Sequence, residues 1–230
     1  MAKNTKPESN GGGDEASKAG AVVAVPQPTL RRLPAYLQAL EQLKAQGREW
    51  VSCTHIGELL QQDPAQVRKD LGFVNITGKP KLGFAVEELA AAIRQFIGWD
   101  NSTDAFLAGV GHLGQALLGY NGFQAHGLKI VAAFDADPAK VGTEINGCKI
   151  LPPNKLASLV KRMRVALGII TVPAPAAQEV ANQMVEGGIR AIWNFAPVRL
   201  EVPEHVLVVN EDLSATLAVL SRKLAKKSGG

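Results

Sequence analysis

The apolar positions of this 230-residue chain change their period along its length. Residues 1 to about 28 carry small and polar side chains around Gly11-Gly12-Gly13 and have little to bury, which predicts a disordered tail. From Thr29, the residues Leu30, Leu33, Leu37, Leu40 and Leu43 recur at helical spacing, predicting a helix that ends at Gly47. Pro34 is expected within its first turns, where a missing N–H costs little. Thr54 can cap a short second helix carrying Ile56, Leu59 and Leu60. Asp63-Pro64-Ala65-Gln66 is a stronger start signal: a capping Asp, Pro at the first helical position and Gln three residues on. That third helix runs to about Leu71, and Gly72 stops it. Gly78, Pro80 and Gly83, interleaved with Lys79 and Lys81, predict a β-turn loop. Glu87 to Ile97 forms an amphipathic helix with Leu89, Ile93, Phe96 and Ile97 on one face, closed by Gly98.

Beyond Trp99-Asp100-Asn101-Ser102 the period alternates between two and 3.6. Strands are predicted at Ala105–Val110, Ile130–Phe134, Val165–Val172, Ile189–Phe195 and Val206–Val209, with helices at Gln115–Tyr120, Leu156–Met163 and Ala176–Glu186. Such alternation implies an α/β domain: a doubly wound, mainly parallel sheet with helices on both faces. A last helix runs from Ser214 to about Lys227 with Leu217, Leu220 and Leu224 on one side. That stripe needs a covering surface, either in its own domain or in a second subunit. The expected organisation is a tail (1–28), a helical module (29–100), an α/β domain (101–213) and a C-terminal helix and tail (214–230).

Composition and charge refine this picture. With 46% hydrophobic residues the chain can bury a core in one large or two smaller domains. A formal net charge of +4 permits an anionic partner without requiring one. The distribution says more. Arg68, Lys69, Lys79 and Lys81 face Asp70 alone between Gln66 and Gly83, and Arg222, Lys223, Lys226 and Lys227 close the chain without an acid. The two cysteines, Cys53 and Cys148, have no metal-type spacing and suit buried thiols in a reducing compartment. No apolar run approaches the roughly 20 residues of a membrane span, and the N-terminus lacks a secretion signal, so a cytoplasmic protein is expected.

Two constellations carry chemistry. In Gly109-Val110-Gly111-His112-Leu113-Gly114, Gly109 permits a tight turn after a strand, Gly111 lets backbone approach a pyrophosphate, and Gly114 lets a helix pack closely. Asp135 follows 21 residues after Gly114, at the end of the second strand, where an acid accepts hydrogen bonds from the adenosine ribose. It disfavours a 2′-phosphate, so NAD(H) is expected; coenzyme A remains an alternative. The second constellation is the pair of short helices with the basic loop after them, the pattern of a winged helix. There Arg68 and Gln66 would read base edges while Lys69, Lys79 and Lys81 hold phosphates. A solvated helical face would show the same charges.

Several runs occur in an order that resembles a known family. They are Leu30-Arg31-Arg32-Leu33-Pro34-Ala35-Tyr36-Leu37, Gln66-Val67-Arg68-Lys69-Asp70-Leu71, the glycine loop, Phe134-Asp135-Ala136-Asp137-Pro138, Thr171-Val172-Pro173-Ala174 and Asn194-Phe195-Ala196-Pro197-Val198. From about residue 29 to 227 the chain resembles the redox-sensing transcriptional repressors of the Rex family. The resemblance implies a homodimer whose winged helices bind an inverted-repeat operator. It implies Rossmann domains that read NADH against NAD⁺, and a C-terminal helix swapped between subunits. Carried over by position, the resemblance gives Gln66, Arg68 and Lys69 to DNA, and Gly109, Gly111, Gly114 and Asp135 to NAD(H). It places Thr171, Val172, Pro173, Asn194, Phe195, Ala196, Pro197 and Asp212 near the nicotinamide and the dimer seam. Tyr120 and Asp212 match members of the family's redox switch network. Two positions depart from the family. Its usual Ser-Tyr-Phe-Gly wing entry is here Gly72-Phe73-Val74-Asn75, and Gln38 stands where many members carry the arginine that pairs with the acid matched by Asp212.

The competing reading is a dinucleotide- or coenzyme-A-binding oxidoreductase with an appended helical module. A dehydrogenase needs a general acid or base at the nicotinamide. His55, His112, His126 and His205 fall in the N-terminal module, the phosphate loop, a helix end and a turn, none suited to that role. The segments Thr171–Ala174 and Asn194–Val198 are apolar and proline-rich, which suits binding without turnover.

Overall fold

The computed structural model describes residues 25–227. Its contacts divide the chain between Ile93 and Arg94 into two compact units.

The first unit begins with α1 (Gln27–Ala45), which opens after Pro26 with Pro28 in its first turn. Of the expected tail, residues 1–24 lie outside the described residues, while Gln27 and Pro28 are already helical. The early start moves Pro34 to the eighth helical position, past the first turn where it was expected. There its ring removes the donor for the Leu30 carbonyl. β1 (Trp50–Val51) and α2 (Cys53–Leu60) follow. α2 is capped by Ser52, whose hydroxyl accepts the His55 N–H at 3.1 Å, not by Thr54. α3 (Pro64–Leu71) starts as expected, with Asp63 accepting the Ala65 N–H at 2.8 Å and Pro64 at the first position. β2 (Phe84–Ala85) pairs antiparallel with β1, and α4 (Val86–Phe96) follows, the first unit ending within it at Ile93. Leu33, Tyr36, Leu40, Ile56, Val67, Leu89 and Ile93, all inaccessible to solvent, form its core. This is the winged-helix arrangement: a helix pair α2–α3, then a basic hairpin returning to the strand β1.

The second unit is an α/β domain. Its elements are β3 (Thr103–Ala108), α5 (His112–Leu118), α6 (Gly122–Ala125), β4 (Leu128–Phe134), β5 (Glu144–Ile145), β6 (Cys148–Leu151), α7 (Leu156–Met163), β7 (Leu167–Ile170), α8 (Ala174–Gly187), β8 (Ala191–Asn194), β9 (Leu207–Asn210) and α9 (Leu213–Lys227). The sheet order is β5-β6-β4-β3-β7-β8-β9, parallel throughout except β5 against β6. Its two faces bury separate clusters. Phe106, Phe134, Ile170 and Ile192 pack with α7 and α8, whereas Leu107, Ala133, Ile150 and Ile169 pack on the side of Leu117 and Leu118. Successive strands proceed outward from β3 in opposite directions, so a crevice opens at the carboxyl ends of β3 and β7, where such sheets bind ligands. The hairpin β5–β6 turns on Asn146-Gly147, both at positive φ, a turn signal absent from the expected elements, and the four-residue α6 carries no period long enough to reveal it. α5 begins at His112, three residues before the expected start, so Gly114 lies inside it.

Candidate functional site

At the crevice, β3 ends in Gly109, whose φ of +96° is open to glycine at little cost. A Cβ on Gly109 would come within 2.8 Å of the Thr171 carbonyl carbon and the Val172 nitrogen. On Gly114 it would collide with the Gly109 carbonyl, whereas Gly111 faces open space. Two glycines therefore fold the loop against β7 and the third leaves room for a ligand. Thr171 holds the turn from across the switch point, its hydroxyl donating to the Gly109 carbonyl at 2.6 Å.

Asp135 stands at the end of β4 beside this loop. Its carboxylate accepts the Val110 N–H at 2.6 Å, the Asp137 N–H at 2.9 Å and a Lys140 ammonium hydrogen at 3.3 Å. Burial pushes this carboxyl up, but those donors outweigh it and hold it below the usual carboxylate range. The result is a charged acceptor fixed next to the glycine loop. A cavity of about 690 Å³ opens between them, lined by Gly109, Gly111, Asp135, Lys140, Thr171, Val172 and Pro173 among others. That size lies within the range of small-molecule and cofactor sites. The glycine cradle, the ionised acceptor at the ribose position and the apolar wall of Leu156 and Val180 fit a dinucleotide.

The other predicted cofactor residues lie elsewhere around the sheet ends. Val110 is buried and offers only its backbone, and His112 and Leu113 project from the first turn of α5 into solvent. Asn194 is fully buried. Its amide donates to the carbonyls of Ala196 at 3.2 Å and Val198 at 2.8 Å and to Asn210 Oδ1 at 2.9 Å, while its own oxygen accepts the Ala196 N–H at 3.0 Å. That side chain ties the loop after β8 to the end of β9. Ala196 joins the core, Pro197 is exposed, and Phe195 ends an aromatic series. The series runs Tyr120–Phe123–Trp193–Phe195 with ring centroids 4.9, 5.7 and 4.9 Å apart, and Trp193 Nε1 donates to Glu211 at 2.9 Å. Tyr120 keeps more than half its surface in solvent. Asp212 caps α9, accepting the N–H groups of Ser214 and Ala215. Along α9, Leu217, Val219, Leu220 and Leu224 are all exposed. Both thiols are buried, Cys53 in the first unit and Cys148 in the second, and burial pushes Cys148 up to about 11.

In the first unit, α3 turns Val67, Asp70 and Leu71 inward and Arg68 and Lys69 outward. A hub that sequence reasoning missed holds the helix in place. Asp70, wholly buried, accepts bidentate hydrogen bonds from Arg32 at 2.6 and 2.8 Å, and further ones from Thr29 at 2.9 Å, Tyr36 at 2.7 Å and Gln66 at 2.9 Å. Burial pushes Asp70 up, but these donors win and hold it at about 2. The same contacts raise Arg32 and, together with burial, Tyr36. Gln66 therefore does not close a capping box onto Asp63; its amide reaches along the helix to Asp70. The only sequence signal was that Arg32 and Tyr36 fall in one of the motif runs and Asp70 in another. Beyond α3, Lys79 and Gly83 close a tight hairpin on which Lys79, Pro80, Lys81 and Leu82 are exposed. No helix among the described residues is long and apolar enough to cross a membrane.

Comparisons with known proteins match both units. Residues 24–72 match a family described as "Putative DNA-binding protein N-terminus", and residues 100–198 match one described as "CoA binding domain". The chain is 46% identical to the redox-sensing transcriptional repressor Rex of Treponema denticola, over 84% of this chain and 92% of that protein. It is 45% identical to that of Bacteroides fragilis, over 87% and 91%. Among solved structures, it matches RSP in complex with β-NAD⁺ and operator DNA with a TM-score of 0.84 at 30% identity, covering 90% of this chain and 95% of that one. RSP in complex with β-NADH matches with a TM-score of 0.80 at 31% identity, covering 89% and 96%.

Proposed function

Because this chain belongs to the Rex family of redox-sensing transcriptional repressors, we propose that it represses transcription as a homodimer on an inverted-repeat operator and leaves the DNA when NADH rises relative to NAD⁺. It is a repressor and not an enzyme. The observation that carries this reading is the presence in one chain of an outward Arg68 and Lys69 on α3 and of a cleft where Gly111, Asp135 and Thr171 converge.

Residues 29–100 dock α3 in a major groove. Arg68 and Gln66 meet base edges, while Lys69, Lys79 and Lys81 meet phosphates. Residues 101–213 bind NAD(H), with the pyrophosphate over Gly109–Gly114 and the ribose on Asp135. Thr171, Val172, Pro173 and the Asn194–Pro197 loop flank the nicotinamide half. The dinucleotide leaves chemically unchanged; it is a signal. Residues 214–230 exchange α9 between subunits, which would cover the exposed Leu217, Val219 and Leu220. Tyr120 and Asp212 relay the cofactor state. Two half-sites of one operator sit about one helical turn apart, so a modest rotation between subunits prevents both from docking. NADH produces that rotation only through its greater affinity for the released state. A protein that couples chromosomal DNA to the NAD(H) pool works in the cytoplasm.

A mobility-shift titration with an operator duplex at fixed salt, varying NADH/NAD⁺, tests this. Retention of the complex should fall as NADH rises. DNA affinity indifferent to NADH refutes the sensor, and loss of sequence-specific binding altogether refutes the repressor. Arg68→Ala is expected to abolish sequence preference, and the same shifts on operator and scrambled duplexes measure it.

A further inference from the structure

The wing is where this chain departs from the Rex pattern, and there an aromatic ring holds a basic side chain. The Lys79 N–H donates to the Gly83 carbonyl at 2.6 Å and the Gly83 N–H returns to the Lys79 carbonyl at 2.9 Å, closing the tip around Pro80, Lys81 and Leu82. Gly83 has φ of +90°, and a Cβ there would collide with the Val51 carbonyl, so the tip is pressed against β1. β1 presents Trp50, which pairs with Ala85. The Lys79 Nζ stands 4.7 Å from the centroid of the Trp50 ring. Among the described residues this ammonium forms an ion pair with no carboxylate. Lys81 is exposed at φ of +65°, and among the described residues no ring lies beneath its ammonium.

We propose that Trp50 is a positioning residue for DNA: its ring holds Lys79 at the wing's edge, so that Lys79 makes the stronger of the wing's phosphate contacts, ahead of the unsupported Lys81. A free lysine loses the rotamer freedom of a four-carbon stem when a phosphate pins it. On Trp50 that freedom is already reduced before DNA arrives. An ammonium has three donors, and a π contact engages one side of it, leaving the others for phosphate oxygens. The inference rests on the reading that this unit binds DNA through its wing.

Binding of the full-length protein to a random-sequence duplex about 30 base pairs long, measured by anisotropy across a salt series, isolates phosphate contacts from base reading. Lys79→Met is expected to flatten the slope of log affinity against log salt by about 0.9 per subunit. Trp50→Leu should weaken binding about two- to fivefold and flatten the slope likewise, while Trp50→Phe, which keeps a ring, retains most of both. The double variant Trp50→Leu/Lys79→Met should bind no more weakly than Lys79→Met. In the unaltered free protein the ε-methylene protons of Lys79 should resonate upfield through the ring current, a test that needs no variant to fold. Absence of that shift, or a Trp50→Leu protein with unchanged slope while Lys79→Met loses its own, overturns the role of Trp50 and leaves the wing contact standing. An unchanged slope in Lys79→Met overturns the wing contact itself.

Discussion

Asp70 shows how one buried carboxylate can fix the pose of a short basic helix, α3. It collects five hydrogen bonds from four side chains, three of them on α1, and so ties α3 to the longest helix of its unit. Removing it leaves the part-buried Arg32 guanidinium without its partner and strands the Tyr36 and Thr29 hydroxyls in the core. Asp70→Ala is therefore expected to destabilise this unit by about 3 kcal/mol, read by urea denaturation. The acid dependence follows from the same contacts. Asp70 titrates at about 2 in the folded protein against an ordinary 3.8, so its contribution of about 2 kcal/mol is complete above pH 4 and lost as pH falls toward 2. Asp70→Asn should lack that part of the acid transition in a pH series of unfolding. Asp135 is the matching residue of the cofactor unit. Replacing it by Ala removes the acceptor held at the glycine loop, and NADH affinity by calorimetry should fall about 10- to 100-fold.

At the scale of elements, turn chemistry was legible and long-range pairing was not. Asp63-Pro64 announced α3, and the spacing of Leu89, Ile93, Phe96 and Ile97 announced α4, because caps and amphipathic faces are local codes. The hairpin β5–β6 had a local signal in Asn146-Gly147, whose φ of +51° and +76° make a two-residue hairpin turn, but its strands of two and four residues are too short for a period to draw the eye to it. Thr54 lost its capping role to Ser52 because the helix starts two residues earlier, directly after β1. α9 is the element whose sequence demands most from its surroundings. Its Leu217 and Leu220 are 62% and 53% exposed, where a covering surface would stabilise each by roughly 1 kcal/mol or more. If α9 joins two subunits as proposed, Leu217→Glu combined with Leu220→Glu shifts that dimer toward monomer, measured by sedimentation velocity at several protein concentrations.

At the scale of the whole molecule, repression is a coupling between two ligands, and coupling is reciprocal. Whatever factor NADH takes from DNA affinity, operator DNA must take from NADH affinity, within about 5- to 150-fold for ordinary allosteric proteins. Titrating NADH with and without a saturating operator duplex checks the equality. Gln38, exposed on α1, stands where many relatives carry an arginine; Gln38→Arg is expected to increase that factor, measured by the same pair of titrations. The sequence by itself determined the two-part organisation, the winged-helix and doubly wound classes, the dinucleotide loop with its acid and the basic face of α3. Each depends on local periodicity or on residues close along the chain. Only the tertiary structure decided what the polar side chains do. It assigned Asn194 to bracing the loop after β8, gave Gln66 to Asp70, set Lys79 on Trp50 and locked Thr171 onto Gly109. Those pairings join residues far apart in sequence or choose one partner among several within reach. Such choices depend on which groups burial leaves without water, and no spacing rule records that.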